Sequence, residues 1–263
     1  MRGLARLLGV QIAEGRAMVI TSRSNPFIKY ILSLREKKYR REYGEYIAEG
    51  IKQVREAHAC GCAIEHIVCA ESYAGDRFCP DKAVVVSDSV FAKLSEDVAP
   101  QGILAVLRIP DEPLAPPRGR CLLLDGVSDP GNLGTIIRTA NAAGYEDIYL
   151  LGCTDPYSSK CVRASMSGIY FVRLYAGERE ELLSAIGDVP LLCADMDGEN
   201  VFEFQAPDRF CLVIGNEANG VSVEVRKRCV RTVRIPMRKT CESLNAGVSA
   251  GILMYELSER KQG

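Results

Sequence analysis

The spacing of apolar residues predicts different elements in the two halves of the chain. In the front half, apolar side chains recur at helical spacing over residues 25–57, which predicts helix. Short apolar runs at 64–69 and 83–86 predict strands, and a helix is predicted near 89–94. The front half is therefore predicted to be a small α/β module.

In the back half, apolar runs of strand length alternate with segments of helical spacing. The runs lie at 121–127, 147–151, 191–194, 210–215 and 233–237. Such alternation predicts an α/β fold with a mainly parallel sheet flanked by helices. In folds of this kind, ligands bind at the carboxyl ends of the strands. The last apolar segment is predicted to be a long helix that starts near Leu244.

A proline-rich segment separates the two halves. Residues 109–120 read IPDEPLAPPRGR, and their four prolines rule out helix and interrupt any central strand. We therefore predict an N-terminal extension over 1–18, a front domain over 19–109, a linker over 110–118 and a back domain over 119–263.

Composition is that of a globular protein. The chain has 263 residues, of which 47% are hydrophobic and 25% charged. No apolar run approaches the roughly 20 residues that span a bilayer, and no secretion signal is recognisable at the start. Eleven cysteines without paired clustering are typical of a reducing compartment. We therefore expect a cytoplasmic protein with no membrane partner.

Composition gives no indication of a metal site or of a strong overall charge. The tightest group of possible ligands is His58, Cys60, Cys62 and His66, and its Cys-x-Cys step lacks the spacing of zinc sites. We therefore expect no metal. The net charge is −1, so any nucleic-acid partner must be held by a local basic patch.

One such patch is predicted in the front half. Six cations fall within thirteen residues against a single acid, and three tyrosines are interleaved: Lys29, Arg35, Lys37, Lys38, Arg40 and Arg41, with Tyr30, Tyr39 and Tyr43. Cations can bind phosphates while tyrosines stack on unpaired bases, so we predict RNA contact here. A solvated helix face is the alternative, because charge runs are usually of that kind.

The first segment that could support chemistry, residues 125–144, leaves a predicted buried strand and enters a helix. Asp129 and Pro130 suit the N-cap and first turn of that helix. Asn132 is then expected at the tip of the strand, and Arg138 about two turns into the helix. A plain strand-to-helix turn with Arg138 reaching solvent is the alternative.

The second segment, residues 212–220, is a buried strand that ends in glycine and then an acid. Gly215 and Gly220 have the spacing of a phosphate-binding loop, but Val221 and Ser222 follow where that loop needs lysine. The back half also lacks a Gly-x-Gly-x-x-Gly turn. Both observations disfavour nucleoside triphosphates, a dinucleotide-dependent enzyme and a Rossmann-type methyltransferase.

The third segment, residues 235–251, is predicted to be a strand end, a polar loop and the start of the last helix. Ser243 can cap that helix, and the N–H groups exposed there suit an anionic or polar ligand group. The alternative is that Ser243 and Asn245 serve only as caps.

Together the three segments resemble the signature motifs of the SpoU/TrmH family, the RNA ribose 2′-O-methyltransferases of the SPOUT superfamily. The motifs read DPGNLGTIIRTANAAG, LVIGNEANGV and IPMRKTCESLNAGVSAG, and KCVRASMSGIYFV at 160–172 extends the resemblance. The front half, with ITSRSNPFIKYI, EYIAEGIKQVREA and APQGILAV, is less specifically similar to the family's substrate-binding domain. That domain is similar in fold to a kink-turn-binding ribosomal protein.

The resemblance implies a carboxyl-terminal trefoil knot, bound S-adenosylmethionine and a homodimer whose active site is completed near the subunit interface. It implies the following residues for the cofactor site: Leu212, Val213, Ile214, Gly215, Asn216, Ile235, Pro236, Met237, Ser243, Leu244 and Asn245. No metal is implied, because the substrate loses only a proton when a neutral thioether leaves.

By motif position, the resemblance also implies catalytic roles. Arg138 activates the ribose hydroxyl, Asn132 and Glu217 organise the site, and Ser243 and Asn245 place cofactor and substrate. An arginine is a poor general base, so we expect Arg138 to orient the hydroxyl and stabilise the developing alkoxide, and we leave the proton acceptor open.

The substrate that the resemblance favours is structured RNA, ribosomal RNA before transfer RNA. A non-catalytic RNA-binding or ribosome-assembly protein on the same fold is the main alternative. A base methyltransferase, as in other SPOUT branches, is another, which the Ser-Leu-Asn sequence at 243–245 disfavours.

Overall fold

The computed structural model describes residues 19–241 and 243–259. The extension predicted over 1–18 lies outside the described residues. The chain divides into two compact units. The first ends at Pro110 and takes in Tyr157–Ser159, and the second comprises Asp111–Pro156 and the residues from Lys160 onward.

The first unit has a four-stranded sheet packed against helices. Its elements are α1 (Pro26–Ser33), α2 (Lys37–Tyr43), β1 (Glu45–Glu49), α3 (Ile51–Ala59), β2 (Ile64–Ala70), a 3-10 helix (Pro80–Lys82), β3 (Ala83–Val86), α4 (Asp88–Leu94) and β4 (Ile103–Arg108). The strand order is β1-β4-β2-β3. Strand β4 is antiparallel to both of its neighbours, and β2 is parallel to β3.

The prediction of helix over 25–57 is wrong at β1. Gly44 adopts a left-handed conformation (φ 69°) that ends α2, and the next five residues alternate between half-buried and buried positions as a strand. The two-residue alternation is too short to be seen among helical spacings on both sides. Strand β4 was also not predicted, although its first five residues are buried.

The second unit has a six-stranded sheet. Its elements are β5 (Cys121–Asp125), α5 (Pro130–Ala143), β6 (Asp147–Leu151), α6 (Ser159–Ala164), a 3-10 helix (Gly168–Tyr170), β7 (Arg173–Ala176), α7 (Arg179–Ile186), β8 (Leu191–Asn200), β9 (Cys211–Gly215), α8 (Val223–Arg226), β10 (Cys229–Arg234) and α9 (Ala246–Glu259).

The strand order of this sheet is β10-β8-β9-β5-β6-β7, and every neighbouring pair is parallel. The predicted α/β fold with a parallel sheet is confirmed. Strand β5 lies between β9 and β6, and all five of its residues are buried. Because the strands are parallel, the loops after β5, β8, β9 and β10 meet at one edge of the sheet.

Several predicted elements differ in their bounds. The strand predicted at 191–194 is β8, which continues to Asn200, and the strand predicted at 121–127 is β5, which ends at Asp125. The strand predicted at 233–237 is β10, which ends at Arg234, so that Ile235, Pro236 and Met237 form a loop. As an edge strand, β10 exposes Val230 and Arg231, which breaks the apolar pattern that marked the other strands. The last helix begins at 246 rather than near 244.

Among the described residues, no helix is long and apolar enough to cross a membrane. The carboxyl-terminal trefoil knot stays a prediction from the family resemblance.

Candidate active site

A cavity of about 740 Å³ lies at the carboxyl edge of the second unit's sheet. The middle of β8, the end of β9 with the turn after it, the loop after β10 and the start of α9 form its walls. Its lining residues are Asn132, Ala194, Asp195, Met196, Ile214, Gly215, Asn216, Glu217, Ala218, Asn219, Gly220, Val233, Arg234, Ile235, Met237, Ser243, Leu244, Asn245, Ala246, Ser249 and Leu253. The structure therefore brings residues of all three signature segments to one place.

The first of these segments turns tightly from β5 into α5. The Asp129 side chain accepts a hydrogen bond from the Asn132 N–H at 2.9 Å, and Pro130 occupies the first turn, as predicted. Lys160 Nζ lies 2.7 Å from Asp129 Oδ2, and this hydrogen bond together with backbone N–H groups lowers the pKa of Asp129. The N-terminus of α5 is thus fixed beside the cavity.

Gly134 allows α5 to pack against the segment that follows β6. A Cβ atom there would lie 2.5 Å from the Cys161 carbonyl oxygen and 2.6 Å from Ala164 Cβ. The contact continues one turn further along α5, at Arg138, where a Cβ at Gly168 would lie 3.0 Å from the Arg138 Cα atom. The segment 161–168 therefore sets the position of α5 through close backbone contacts on its buried side.

Glu217 is held by donors from the β5–α5 turn. Its carboxylate accepts hydrogen bonds from Ser128 N and Oγ, from Asp129 N and from Asn132 Nδ2, at 2.9 to 3.2 Å. Burial raises the pKa of Glu217, but these hydrogen bonds outweigh it and lower the pKa to about 2. The carboxylate is therefore ionised at neutral pH, and its acceptor positions are occupied by the chain itself.

Asn132 links Glu217 to Asn245. Asn132 donates from Nδ2 to Glu217 Oε1 at 2.9 Å and accepts at Oδ1 from Asn245 Nδ2 at 2.8 Å. Asn245 Oδ1 in turn accepts from the N–H groups of Gly247 and Val248 at 2.9 and 3.2 Å. The three polar side chains form one continuous network that ends at the N-terminus of α9.

The cap of α9 is therefore Asn245, and the prediction that Ser243 caps it is wrong. The helix begins two residues later than expected, so that Ser243 lies in the loop before it. The sequence left open whether Asn245 is a helix cap or part of the site, and the structure shows that it is both. Its Oδ1 caps the helix, and its Nδ2 donates to Asn132.

A closed turn at 215–220 presents Glu217. Asn216 and Gly220 exchange both backbone hydrogen bonds at 2.9 Å, and Asn216 Nδ2 donates to the Gly126 carbonyl oxygen at 2.8 Å. A Cβ at Gly215 would lie 2.1 Å from the Gly220 carbonyl carbon. This close approach requires glycine at 215, which explains the spacing that had suggested a phosphate-binding loop.

The cavity fits S-adenosylmethionine in size and in chemistry. Its volume is within the range of ligand pockets, and Ile214 and Leu253 supply buried apolar wall. The backbone groups of Ile235, Met237 and Leu244 make no hydrogen bond to another described residue. An adenine ring needs such an apolar wall together with free backbone donors and acceptors at its rim.

Most of the residues predicted for the cofactor line this cavity, but three do not. Leu212 and Val213 are fully buried inside β9, and Pro236 lies beside the cavity without lining it. We therefore leave these three out of the proposed cofactor contacts. Sequence periodicity could not make this distinction, because it locates the strand but not the residue at which its end meets a cavity.

The middle of β8, just past the residues that pair with β9 (Leu191–Cys193), contributes residues that the sequence did not indicate. Ala194, Asp195 and Met196 line the cavity, and the Asp195 carboxylate pairs with the Arg226 guanidinium. The only sequence signal for them was the predicted strand at 191–194, whose end lies at the same sheet edge.

Arg138 does not line the cavity of its own chain. It lies six residues after Asn132 on α5, and at 100° per residue the two side chains are on different faces of the helix. Arg138 is exposed and makes no ion pair with another described residue. The expected convergence of Arg138 with the other signature residues does not occur within one chain.

In the first unit, the basic segment divides into structural and exposed cations. Arg40 is buried, and its Nη1 donates to the carbonyl oxygens of Leu34 and Arg35 at 2.8 and 2.7 Å. Arg35 donates to the last carbonyl groups of α4, including that of Leu94 at 3.1 Å. We therefore assign Arg40 and Arg35 to the structure of this unit and leave them out of the proposed RNA contacts.

The remaining four cations of the predicted patch are exposed: Lys29, Lys37, Lys38 and Arg41. The rings of Tyr39 and Tyr43 stack at 6.1 Å with an interplanar angle of 17°, and the Lys38 ammonium lies 5.4 Å from the Tyr39 ring centroid. Within residues 19–241 and 243–259, no group of three or more His, Cys, Asp or Glu side chains could hold a metal ion.

Two family models match the chain. The model of the SpoU rRNA Methylase family matches residues 119–255, and that of the MRM3-like substrate binding domain matches residues 25–105.

Relatives match over nearly the whole length. The chain is 33% identical over 245 residues to the 23S rRNA (guanosine(2553)-2′-O)-methyltransferase RlmP of Bacillus subtilis, covering 90% of this chain and 98% of that protein. It is 30% identical over 279 residues to the 23S rRNA (uridine(2479)-2′-O)-methyltransferase of Streptomyces viridochromogenes, covering 96% and 95%.

The fold also matches a solved structure with its cofactor. The AdoMet-bound rRNA methyltransferase from Sinorhizobium meliloti superposes with a TM-score of 0.84 at 30% identity, covering 92% of this chain and 98% of that one. The SpoU model spans more than half of the present sequence, on the unit that contains the cavity. The chain belongs to the SpoU rRNA methylase family.

Proposed function

We propose that the chain transfers a methyl group from S-adenosylmethionine to a ribose 2′-hydroxyl of ribosomal RNA. The observation that best supports this reaction is the network of Glu217, Asn132 and Asn245 at a cavity that fits the cofactor. Ribosomal RNA is favoured over transfer RNA because the full-length relatives named above act on 23S rRNA.

When bound, S-adenosylmethionine supplies an activated methyl group on a sulfonium that is already a good leaving group. The chain's own residues must therefore orient a ribose hydroxyl and stabilise the charge that develops as its proton is lost. Ile214, Met237 and Leu244 are proposed to hold the cofactor from the cavity wall. Asn245 and Ser243 are proposed to position the ends of cofactor and substrate at the start of α9.

Glu217 is assigned a positioning role. With a pKa of about 2 and its acceptor positions filled, its carboxylate is not suited to take a proton from a hydroxyl at neutral pH. It instead fixes the rotamer of Asn132, since the Asn132 amide is oriented by a donor on one side and an acceptor on the other.

Arg138 is proposed to act at the cavity of a second copy of the chain in a homodimer. It is exposed, and it does not line the cavity of its own chain. The last helix exposes Val248 and Tyr255 to 50% and 42%, which is apolar surface that a partner copy would cover. Reaching the partner's cavity, the Arg138 guanidinium would orient the hydroxyl and stabilise the developing alkoxide.

The first unit is proposed to bind RNA through Lys29, Lys37, Lys38 and Arg41. These side chains are exposed and close in sequence, and the stacked tyrosines beside them offer a ring face to an unpaired base.

The experiment that tests this function is a map of 2′-O-methylation across total RNA from a strain that lacks the gene. One ribosomal RNA position should lose its methyl group and regain it on complementation. A loss in transfer RNA would contradict the substrate, and an unchanged map would favour the non-catalytic alternative.

A further inference from the structure

The second unit contains a basic segment whose cations were not predicted to contact the cofactor or to take part in catalysis. Residues 226–239 read RKRCVRTVRIPMRK, with seven cations and no acid, so this stretch has a charge of +7 in a chain whose net charge is −1. It includes β10, the edge strand of the sheet, and the first part of the loop that enters the cavity wall.

Two of the seven cations are bound to the chain itself. Arg226 pairs with Asp195, and Arg234 donates from Nε to the Gly198 carbonyl oxygen at 2.9 Å. The other five are exposed, and we call them the β10 basic strip: Lys227, Arg228, Arg231, Arg238 and Lys239.

The positive charges of the strip are not neutralised by neighbouring acids. Arg231 lies 3.5 Å from Glu199, but the side chains of that pair are 66% and 55% exposed, so the attraction is screened by solvent. The other four make no ion pair with a described residue. These four cations lie before and after the edge strand β10, and Arg231 lies on it. Such a run of exposed cations attracts a polyanion.

The position of the strip relative to the cavity identifies the polyanion. Arg238 and Lys239 directly follow Met237, and Val233, Ile235 and Met237 all line the cavity. A ribose whose 2′-hydroxyl reaches that cavity is flanked by its own two phosphates, so the RNA backbone must pass the cavity mouth. The six residues of β10 extend the strip by about 20 Å along the sheet edge.

We propose that the β10 basic strip binds the phosphodiester backbone of the RNA strand that carries the target ribose, on the catalytic unit and separately from the first unit. This inference rests on the proposed function for the identity of the ligand. It assigns to Arg238 and Lys239 the contacts nearest to the reacting sugar, and to Arg231 and Arg228 those farther along the strand.

The test is the salt dependence of binding to unmethylated ribosomal RNA, taken from a strain lacking the gene. In the full chain, Arg238→Gln/Lys239→Gln should lower the slope of log affinity against log salt by about 1 to 2, since each lost phosphate contact removes about 0.7 to 0.9. Affinity at about 0.1 M salt should fall at least about tenfold. Arg238→Lys/Lys239→Arg should retain the slope.

Two controls separate a contact from a general charge effect and from misfolding. Arg55→Gln/Lys93→Gln removes the same charge from exposed positions of the first unit and should change the slope by much less. Calorimetric titration with S-adenosylmethionine should give wild-type affinity for each variant. Arg228→Gln/Arg231→Gln provides a second variant away from the cavity, with a reduced slope expected.

The proposal is overturned if both strip variants keep the wild-type slope, or if the control pair lowers it equally. Either of these results would leave the proposed function intact, because it concerns only RNA binding by the strip. Methyl transfer by the strip variants at low salt tests the reaction itself. Conversely, an absence of ribose methylation by the wild-type chain would defeat the proposed function while leaving the slope measurement interpretable.

Discussion

Asn245 Nδ2 donates to Asn132 Oδ1 at 2.8 Å, across 113 positions of sequence, while the other end of the same amide caps α9. The start of the last helix is thereby tied to the start of α5, and through Asn132 to Glu217. Motifs that are far apart in sequence share one hydrogen-bonded network, so their side chains are positioned jointly.

Substitution of Asn245 should separate its two roles. Asn245→Asp retains an acceptor for the Gly247 and Val248 N–H groups but loses the donor to Asn132, so it should keep stability and lose most methyl transfer. Asn245→Ala loses both, at a cost of about 1 kcal/mol in the free energy of unfolding. Urea denaturation and methyl-transfer assays measure the two effects.

The matched control for this cap is Ser243→Ala, which should change the free energy of unfolding by less than about 0.5 kcal/mol. If Ser243→Ala destabilises the chain as much as Asn245→Ala, the cap has been assigned to the wrong residue.

Glu217→Gln should lower stability in a pH-dependent way. At pH 7 the new amide presents an N–H₂ group to donors that the carboxylate had accepted from, and the free energy of unfolding should fall by about 1–2 kcal/mol. The folded-state pKa of about 2 lies below the ordinary value of 4.5, so the carboxylate stabilises the fold fully above pH 4.5. That stabilisation disappears as pH falls from 4.5 toward 2, and the gap between variant and wild type should narrow there.

Chemical denaturation at a series of pH values from 7 to 3 measures this gap. Glu224→Gln is a suitable control. The Glu224 side chain is 58% exposed and its ion pair with Arg179 is long, at 3.8 Å, so the substitution should change stability little at any pH. A gap between Glu217→Gln and wild type that stays constant with pH would contradict the assignment.

Gly134→Ala should destabilise the second unit by about 1–3 kcal/mol, because the added Cβ overlaps the Cys161 carbonyl oxygen. Helix propensity alone would favour alanine by about 1 kcal/mol, so a net loss reports the packing of α5. Gly119→Ala is the control, since a Cβ there meets nothing within 4 Å. Thermal unfolding that is equal for both variants would refute the close contact.

The sequence pattern was sufficient for the parallel sheet and for the convergence of the signature segments at its carboxyl edge. Alternating apolar runs reveal that architecture, because buried strands such as β5 are apolar throughout. The pattern failed where a charged side chain is structural. By residue type Arg40 was predicted to be an exposed cation, but its guanidinium donates to the carbonyl groups of Leu34 and Arg35 at the end of α1.

The position of Arg138 relative to the cavity also could not be predicted from the sequence. Periodicity puts Arg138 on α5, but whether it meets the cavity of its own chain depends on the helix face and on the loops around the cavity. The residues in the middle of β8, such as Asp195, were missed because the apolar run that predicted this strand stops at 194, and the polar residues after it gave no sign that they line a cavity.

The exposed and buried cations of the first unit should differ in phenotype. Arg40→Gln removes the donor from one buried and one part-buried carbonyl group and should destabilise the fold by about 1–3 kcal/mol. Lys37→Gln/Lys38→Gln/Arg41→Gln should leave stability within about 0.5 kcal/mol and weaken RNA binding about tenfold or more. Denaturation and RNA titration distinguish them, and undiminished RNA binding by the triple variant would contradict the proposed contact.

Arg138→Ala should abolish methyl transfer while retaining affinity for S-adenosylmethionine. If Arg138 acts in a partner's cavity, a mixed dimer of Arg138→Ala with the cavity variant Leu244→Asp should regain up to about half of wild-type activity. In that dimer one intact cavity receives one intact arginine. Co-expression with two affinity tags isolates it.

The control for the mixed dimer is calorimetry, with Leu244→Asp expected to bind no S-adenosylmethionine. An inactive mixed dimer would show that Arg138 acts within its own chain, and an active Arg138→Ala homodimer would remove its catalytic role.

The most direct test of methylation at the ribose uses tritiated S-adenosylmethionine and ribosomal RNA from a strain that lacks the gene. After alkaline hydrolysis, a 2′-O-methyl group protects the adjoining phosphodiester bond, because the attacking hydroxyl is blocked. The account predicts tritium in an alkali-resistant dinucleotide at a single position. Tritium recovered in mononucleotides with a methylated base, or no transfer at all, would contradict it.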